Sequence, residues 1–316
     1  MSSIIIPLII AAVLAVQLFS YDDGLRRSLK ELSRSLGVKN VLIARIWKCI
    51  FATTKLTSDA HKLKDTLAIM ALPPLFSCHF PTYVKDCSNN EVDVFWYHPE
   101  FTQSRYPPGQ EISNACTLIC LLVAVRISRE HLLIYDVEKC PRLNVIVAEA
   151  MIEGNETHAW LIEKKLISNP YLSTEEALKY GGKSLDTLKE WKFKIFLEEI
   201  GTSLCKNINA FLHEWYKAPE SHILFMLLIT CGRTILLIFQ DTYKVTLFDS
   251  HSHSTVNNAN RGLAIAQAPI DKLESLCDWY TQDVLKNCYN IQANKYELAF
   301  LYSCGHSCEC HSCYKV

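Results

Sequence analysis

Residues 113–128, SNACTLICLLVAVRIS, carry apolar side chains on nearly every face of a helical projection. A helix that is hydrophobic all round is a buried one, so this stretch predicts the central helix of a core, starting near Ser113, a residue type favoured at helix N-caps. Cys116 falls on its first turn. There the free amide groups and the positive end of the helix dipole stabilise a thiolate and lower the thiol pKa.

Downstream, three apolar runs follow in succession at 223–230, 234–240 and 244–249. Their links, CGR (231–233) and DTY (241–243), are short enough only for antiparallel neighbours. Further strands are predicted at 92–97, 263–267 and 296–302. Helices are predicted at 142–153 (closed by Gly154), 173–180, 205–217 and 270–285. Ser173 and Glu176 form a capping box and Gly181 the matching stop. The layout is α+β, a central buried helix packed on an antiparallel sheet.

The third strand of the run ends unusually. KVTLFDSHSH (244–253) finishes in Asp249, His251 and His253, which a period-two strand projects from one side. A thiolate near neutral pH is an attacking group, and it needs an imidazole base oriented by a third residue. Asp249 and His251 are the candidate orienter and base for Cys116, with His253 as the alternative base. Gln110 stands six positions before Cys116, where its amide can donate to a developing oxyanion alongside the Cys116 backbone N–H. Against these roles stand a core cysteine, a polar strand end and an exposed loop amide.

The segment QEISNAC (110–116), followed far downstream by DSH (249–251), resembles the papain-like cysteine proteases. The Asp-x-His order is similar to the deubiquitinating domain of herpesvirus large tegument proteins and to related domains in transposon-encoded proteins. The resemblance covers about residues 92–302. It implies a papain-like fold with Cys116 as nucleophile, His251 as base, Asp249 as orienter and Gln110 as oxyanion donor. It also implies a thiol hydrolase of peptide or isopeptide bonds needing no cofactor, with ubiquitin or a ubiquitin-like modifier as substrate. The competing expectations are a protease-derived binding module without turnover and a membrane adaptor.

The rest of the chain sets bounds. With 316 residues, 49% of them hydrophobic and 21% charged, it has ample material for a core. A net charge of −1 with interspersed signs gives no footprint for nucleic acid. Residues 4–19 form an almost unbroken apolar run followed by Arg26, Arg27 and Lys30, the order of an anchor with the main domain in the cytosol. A cleaved signal, which would make the protein secreted, and a buried helix are the alternatives. Fourteen cysteines, several inside apolar segments, fit a reducing compartment and leave the sequon at Asn155 unused. Residues 21–72 read as a helical region, 73–91 as a linker, 92–302 as the protease-type domain and 303–316 as a Cys/His-rich tail. In the tail, Cys304, Cys308, Cys310 and Cys313 are candidate zinc ligands, with lipidation, redox chemistry or an unstructured tail as alternatives.

Overall fold

The computed structural model describes residues 81–86, 91–110, 112–255 and 258–304. The anchor segment, the helical region 21–72 and the tail cysteines Cys308, Cys310 and Cys313 lie outside the described residues.

The hairpins predicted from CGR and DTY organise the sheet. Strands β4 (Ile223–Thr230), β5 (Arg233–Gln240) and β6 (Lys244–Asp249) pair antiparallel in sequence order. Cys231, Gly232 and Tyr243 supply the positive φ that tight hairpin turns demand. Around this core stand β1 (Tyr83–Asp86), β2 (Asp93–Tyr97), β3 (Leu188–Phe196), β9 (Ala264–Pro269) and β10 (Tyr296–Ser303). The eight strands run in the order β1-β2-β9-β6-β5-β4-β10-β3, every neighbour antiparallel. A separate ribbon pairs β7 (His253–Thr255) with β8 (Asn258–Arg261), where the sequence predicted only loop.

Both faces of the sheet are covered, which is why β4 and β5 read as continuous apolar runs. On one face lie α1 (Cys116–Arg129), α2 (Pro141–Glu163) and α3 (Thr174–Tyr180), packed against Phe225, Leu227, Leu236, Ile238 and Phe248. On the other lie α4 (Ile200–Trp215) and α5 (Leu273–Trp279), the latter continuing as a π-helical segment Tyr280–Cys288. They cover Leu224, Met226, Leu237, Val245 and Leu247. The fold is thus α+β, with a buried helix packed on an antiparallel sheet.

Several boundaries differ from the sequence reading. The central helix begins at Cys116, not Ser113; the Ser113 hydroxyl instead accepts from the Ala115 N–H at 3.0 Å and donates to Asn155 Oδ1 at 2.6 Å. Gly154 does not end α2. The helix runs on to Glu163, because Gly154 is where its backbone passes close to α1. The capping box of Ser173 and Glu176 is present, with Gly181 at the C-cap. Among the described residues no helix is long and apolar enough to cross a membrane.

Candidate active site

Cys116 opens α1 with its side chain buried, and β6 ends at Asp249 with none of that residue exposed to solvent. After Asp249 the chain bends at His251 and returns as β7, which begins at His253, so the two imidazoles do not lie along one straight strand. Both imidazoles reach the same carboxylate. His251 Nδ1 lies 2.6 Å from Asp249 Oδ1, which also accepts the His251 backbone N–H at 3.0 Å. His253 Nε2 lies 3.1 Å from Asp249 Oδ2, and its Nδ1 lies 2.8 Å from the Gly262 carbonyl. With Nδ1 of His251 held by Asp249, Nε2 is the nitrogen left for the Cys116 thiol, which lines the same cavity and interacts with the imidazole.

The electrostatics of this trio are consistent. Burial pushes the Cys116 thiol up, yet the hydrogen bond and charge of His251, with the Thr234 hydroxyl and N–H, outweigh it and lower the thiol below its ordinary value. Burial pushes His251 down, but the Asp249 carboxylate and the Cys116 sulfur raise it to about 9. Asp249, although buried, is held well below the usual carboxylate range by His251 and His253. Both shifts favour the ion pair, a thiolate facing an imidazolium. Cys120, one turn along α1, behaves oppositely: burial among apolar groups raises its thiol well above the ordinary value, and its sulfur sits 3.6 Å from the Thr234 carbonyl.

A cavity of about 260 Å³ opens over these groups, lined by Gln103, Asn114, Cys116, Tyr171, Arg233 and His251 among others. Gln110 is not on its wall. The Gln110 N–H closes a turn onto the Pro107 carbonyl at 3.0 Å, and the glutamine on the cavity wall is Gln103. Gln103 is buried and held at both ends of its amide: Nε2 donates to the Ser113 carbonyl at 2.9 Å and Oε1 accepts from Ser250 Oγ at 2.6 Å. Its Nε2 carries a second proton that neither of these bonds uses. Asn155 of α2 fixes the same loop, donating to the Gln103 carbonyl at 2.8 Å and the Tyr106 carbonyl at 3.3 Å. Buried and so engaged, Asn155 has no room for a glycan. Thr117, next to the sulfur-bearing residue, donates to the Leu172 carbonyl at 3.0 Å and meets Thr234 Oγ1 at 2.8 Å.

The sequence reading missed Gln103, Asn155 and Thr234. Gln103 had a signal, a second glutamine ahead of Cys116, but its place depends on how the intervening loop folds back. For the tail, the Cys304 N–H donates to the Thr187 carbonyl at 2.9 Å. Among the described residues no group of three or more His, Cys, Asp or Glu side chains is gathered to hold a metal ion.

No protein-family model and no curated protein sequence matches the chain. Among solved structures, the ubiquitin-specific protease encoded by murine cytomegalovirus tegument protein M48, crystallised with a ubiquitin-based suicide substrate, is similar at 14% identity. That similarity covers 66% of this chain and 86% of the other, with a TM-score of 0.41. The Pseudomonas avirulence protein AvrPphB is similar at 10% identity over 60% of this chain and 94% of its own, with a TM-score of 0.35.

Proposed function

We propose that the protein is a thiol hydrolase of peptide or isopeptide bonds. The observation that carries this reading is the chain of contacts from the Cys116 sulfur through His251 to Asp249 at 2.6 Å, facing a cavity open to a ligand. In the proposed reaction the Cys116 thiolate attacks the carbonyl carbon. The oxyanion takes hydrogen bonds from Gln103 Nε2 and from the Cys116 backbone N–H at the helix start. His251 Nε2 then gives its proton to the leaving amine, whose departure leaves a thioester on Cys116. A water that loses its proton to His251 hydrolyses the thioester and releases the acid. Asp249 holds the ring and stabilises its positive form.

The substrate class is ubiquitin or a ubiquitin-like modifier entering by its extended C-terminal tail, a reading supported by the sequence resemblance to herpesvirus deubiquitinating domains. The apolar run 4–19, followed by basic residues, supports attachment to a membrane with the catalytic unit in the cytosol.

A ubiquitin probe with a C-terminal electrophile tests the reading. It should form a covalent adduct with the wild type and none with Cys116→Ala. A folded, reduced wild type that stays unlabelled and cleaves no ubiquitin conjugate would leave a binding module instead.

A further inference from the structure

His253 has no place in the mechanism above, yet it is among the most enclosed polar side chains of the protein, 1% exposed. Its ring is packed between Trp96 and Tyr289, with centroids 5.1 and 5.6 Å away. Both ring nitrogens meet oxygens that only accept. The Gly262 carbonyl faces Nδ1 at 2.8 Å and Asp249 Oδ2 faces Nε2 at 3.1 Å. The Gly262 backbone is tied down by its N–H bond to the Tyr97 carbonyl at 2.8 Å and packs so close to His98 that an added Cβ would fall 2.1 Å from the His98 carbonyl oxygen. A carbonyl and an ionised carboxylate, one at each nitrogen, are both satisfied only if both nitrogens carry hydrogen.

From this geometry we infer that His253 is a positioning residue, an imidazolium that shares the Asp249 carboxylate with His251 and offsets part of its charge. The inference rests on the thiol hydrolase reading. Holding Oδ2 leaves Oδ1 aimed at His251. Offsetting the charge keeps the His251 imidazolium from becoming too weak an acid to protonate a leaving amine, since a buried carboxylate with a single partner would hold that proton harder.

The other charged and titratable groups around the pair do not titrate in the working range. Arg261 of β8 stacks on Trp96 at 4.7 Å and Arg233 of β5 on Tyr289 at 3.3 Å, both permanent cations. Burial raises Tyr280, Tyr289 and Cys288 behind the ring, and Cys120 on α1, all of which therefore stay neutral. Cys116 and His251 are left to set the profile.

The test measures alkylation of Cys116 by iodoacetamide against pH in the full chain, read by mass spectrometry of the Cys116 peptide. His253→Gln removes the charge and keeps an amide donor. Both limbs of the profile should move to higher pH, the alkaline one by about one unit. A loss of packing alone would lower stability and leave the limbs in place, and that result in a folded variant overturns the inference. Should His253→Gln fail to fold, nitrogen NMR of ring-labelled wild type at neutral pH decides. Hydrogen on both His253 nitrogens supports the inference, and a bare Nε2 overturns it. A wild-type Cys116 that titrates like an ordinary thiol would defeat the hydrolase reading, while the NMR arm still reports separately on His253.

Discussion

The Ser250 hydroxyl donates to Gln103 Oε1 at 2.6 Å, clipping the turn between Asp249 and His251 to the loop that leads into the Cys116 helix. The Gln103 N–H returns a bond to the Ser250 carbonyl at 2.9 Å, so this contact between sequence-distant segments is double. It brings the sulfur, the imidazole and the amide donor to one cavity. Gln103→Ala should lower kcat by about 100- to 1000-fold, the loss expected for an oxyanion donor. It should also lower stability by about 1–3 kcal/mol, because the Ser250 hydroxyl and Ser113 carbonyl lose buried partners. Gln110→Ala should leave kcat within about twofold, because Gln110 does not line the cavity. Steady-state cleavage of a fluorogenic ubiquitin conjugate, with thermal unfolding of the same samples, checks both. Equal losses from the two variants would contradict the assignment.

Asp249→Asn tests the orienting carboxylate and carries a pH signature. His251 is raised to about 9 chiefly by the carboxylate working against burial, so its contribution to stability is complete below the ordinary value of 6.5 and disappears as pH rises through 9. Asp249 is depressed, so its contribution is present above its ordinary value of 3.8 and disappears as pH falls toward its lowered folded value. The stability gap between wild type and Asp249→Asn should therefore be widest between about pH 4 and 6.5. It should narrow as pH leaves that window on either side. Turnover at neutral pH should fall about 10,000-fold, as when a triad loses its carboxylate. Denaturant unfolding across pH, beside kcat, gives both readings, and a pH-independent gap would refute the linkage.

Which features could be read from the chain follows from how local their causes are. The β4–β6 meander was legible because two three-residue links permit only antiparallel pairing, and α1 because a helix apolar all round has nowhere to go but the core. β3 was missed although LKEWKFKIF alternates as a half-buried strand does, and its placement as an edge strand comes from pairing with β10, a hundred or more positions away. Asp249 and His251 were legible as neighbours in sequence. The division of labour between His251 and His253 was not, because straight-strand alternation puts both on one face, whereas the bend at residues 250–252 decides which ring meets the sulfur. Gln110 had the expected spacing from Cys116. The residue that reaches the cavity is instead selected by Asn155 and Ser250, partners that no local pattern reveals.

Gly154 shows how a local rule can point the wrong way and still mark something useful. Glycine in a helix interior costs about 1 kcal/mol relative to alanine, so Gly154→Ala would stabilise α2 if propensity were the only effect. An added Cβ would, however, lie 2.6 Å from Ile119 Cγ1, 3.3 Å from the Ile119 nitrogen and 3.4 Å from its Cα. Ile119 is fully buried in the core, so neither its side chain nor its backbone gives way cheaply, and overpacking of this kind costs about 1–3 kcal/mol. Gly154→Ala should therefore be net destabilising by up to about 2 kcal/mol, the crowding offsetting or exceeding the propensity gain. Because Ile119 lies one turn from Cys116, relief comes by shifting α1 and with it the sulfur. The folded variant should react with the ubiquitin probe several-fold more slowly than wild type at saturating probe. Unchanged labelling in a destabilised variant would mean that the α1–α2 contact sets stability without setting the position of the sulfur.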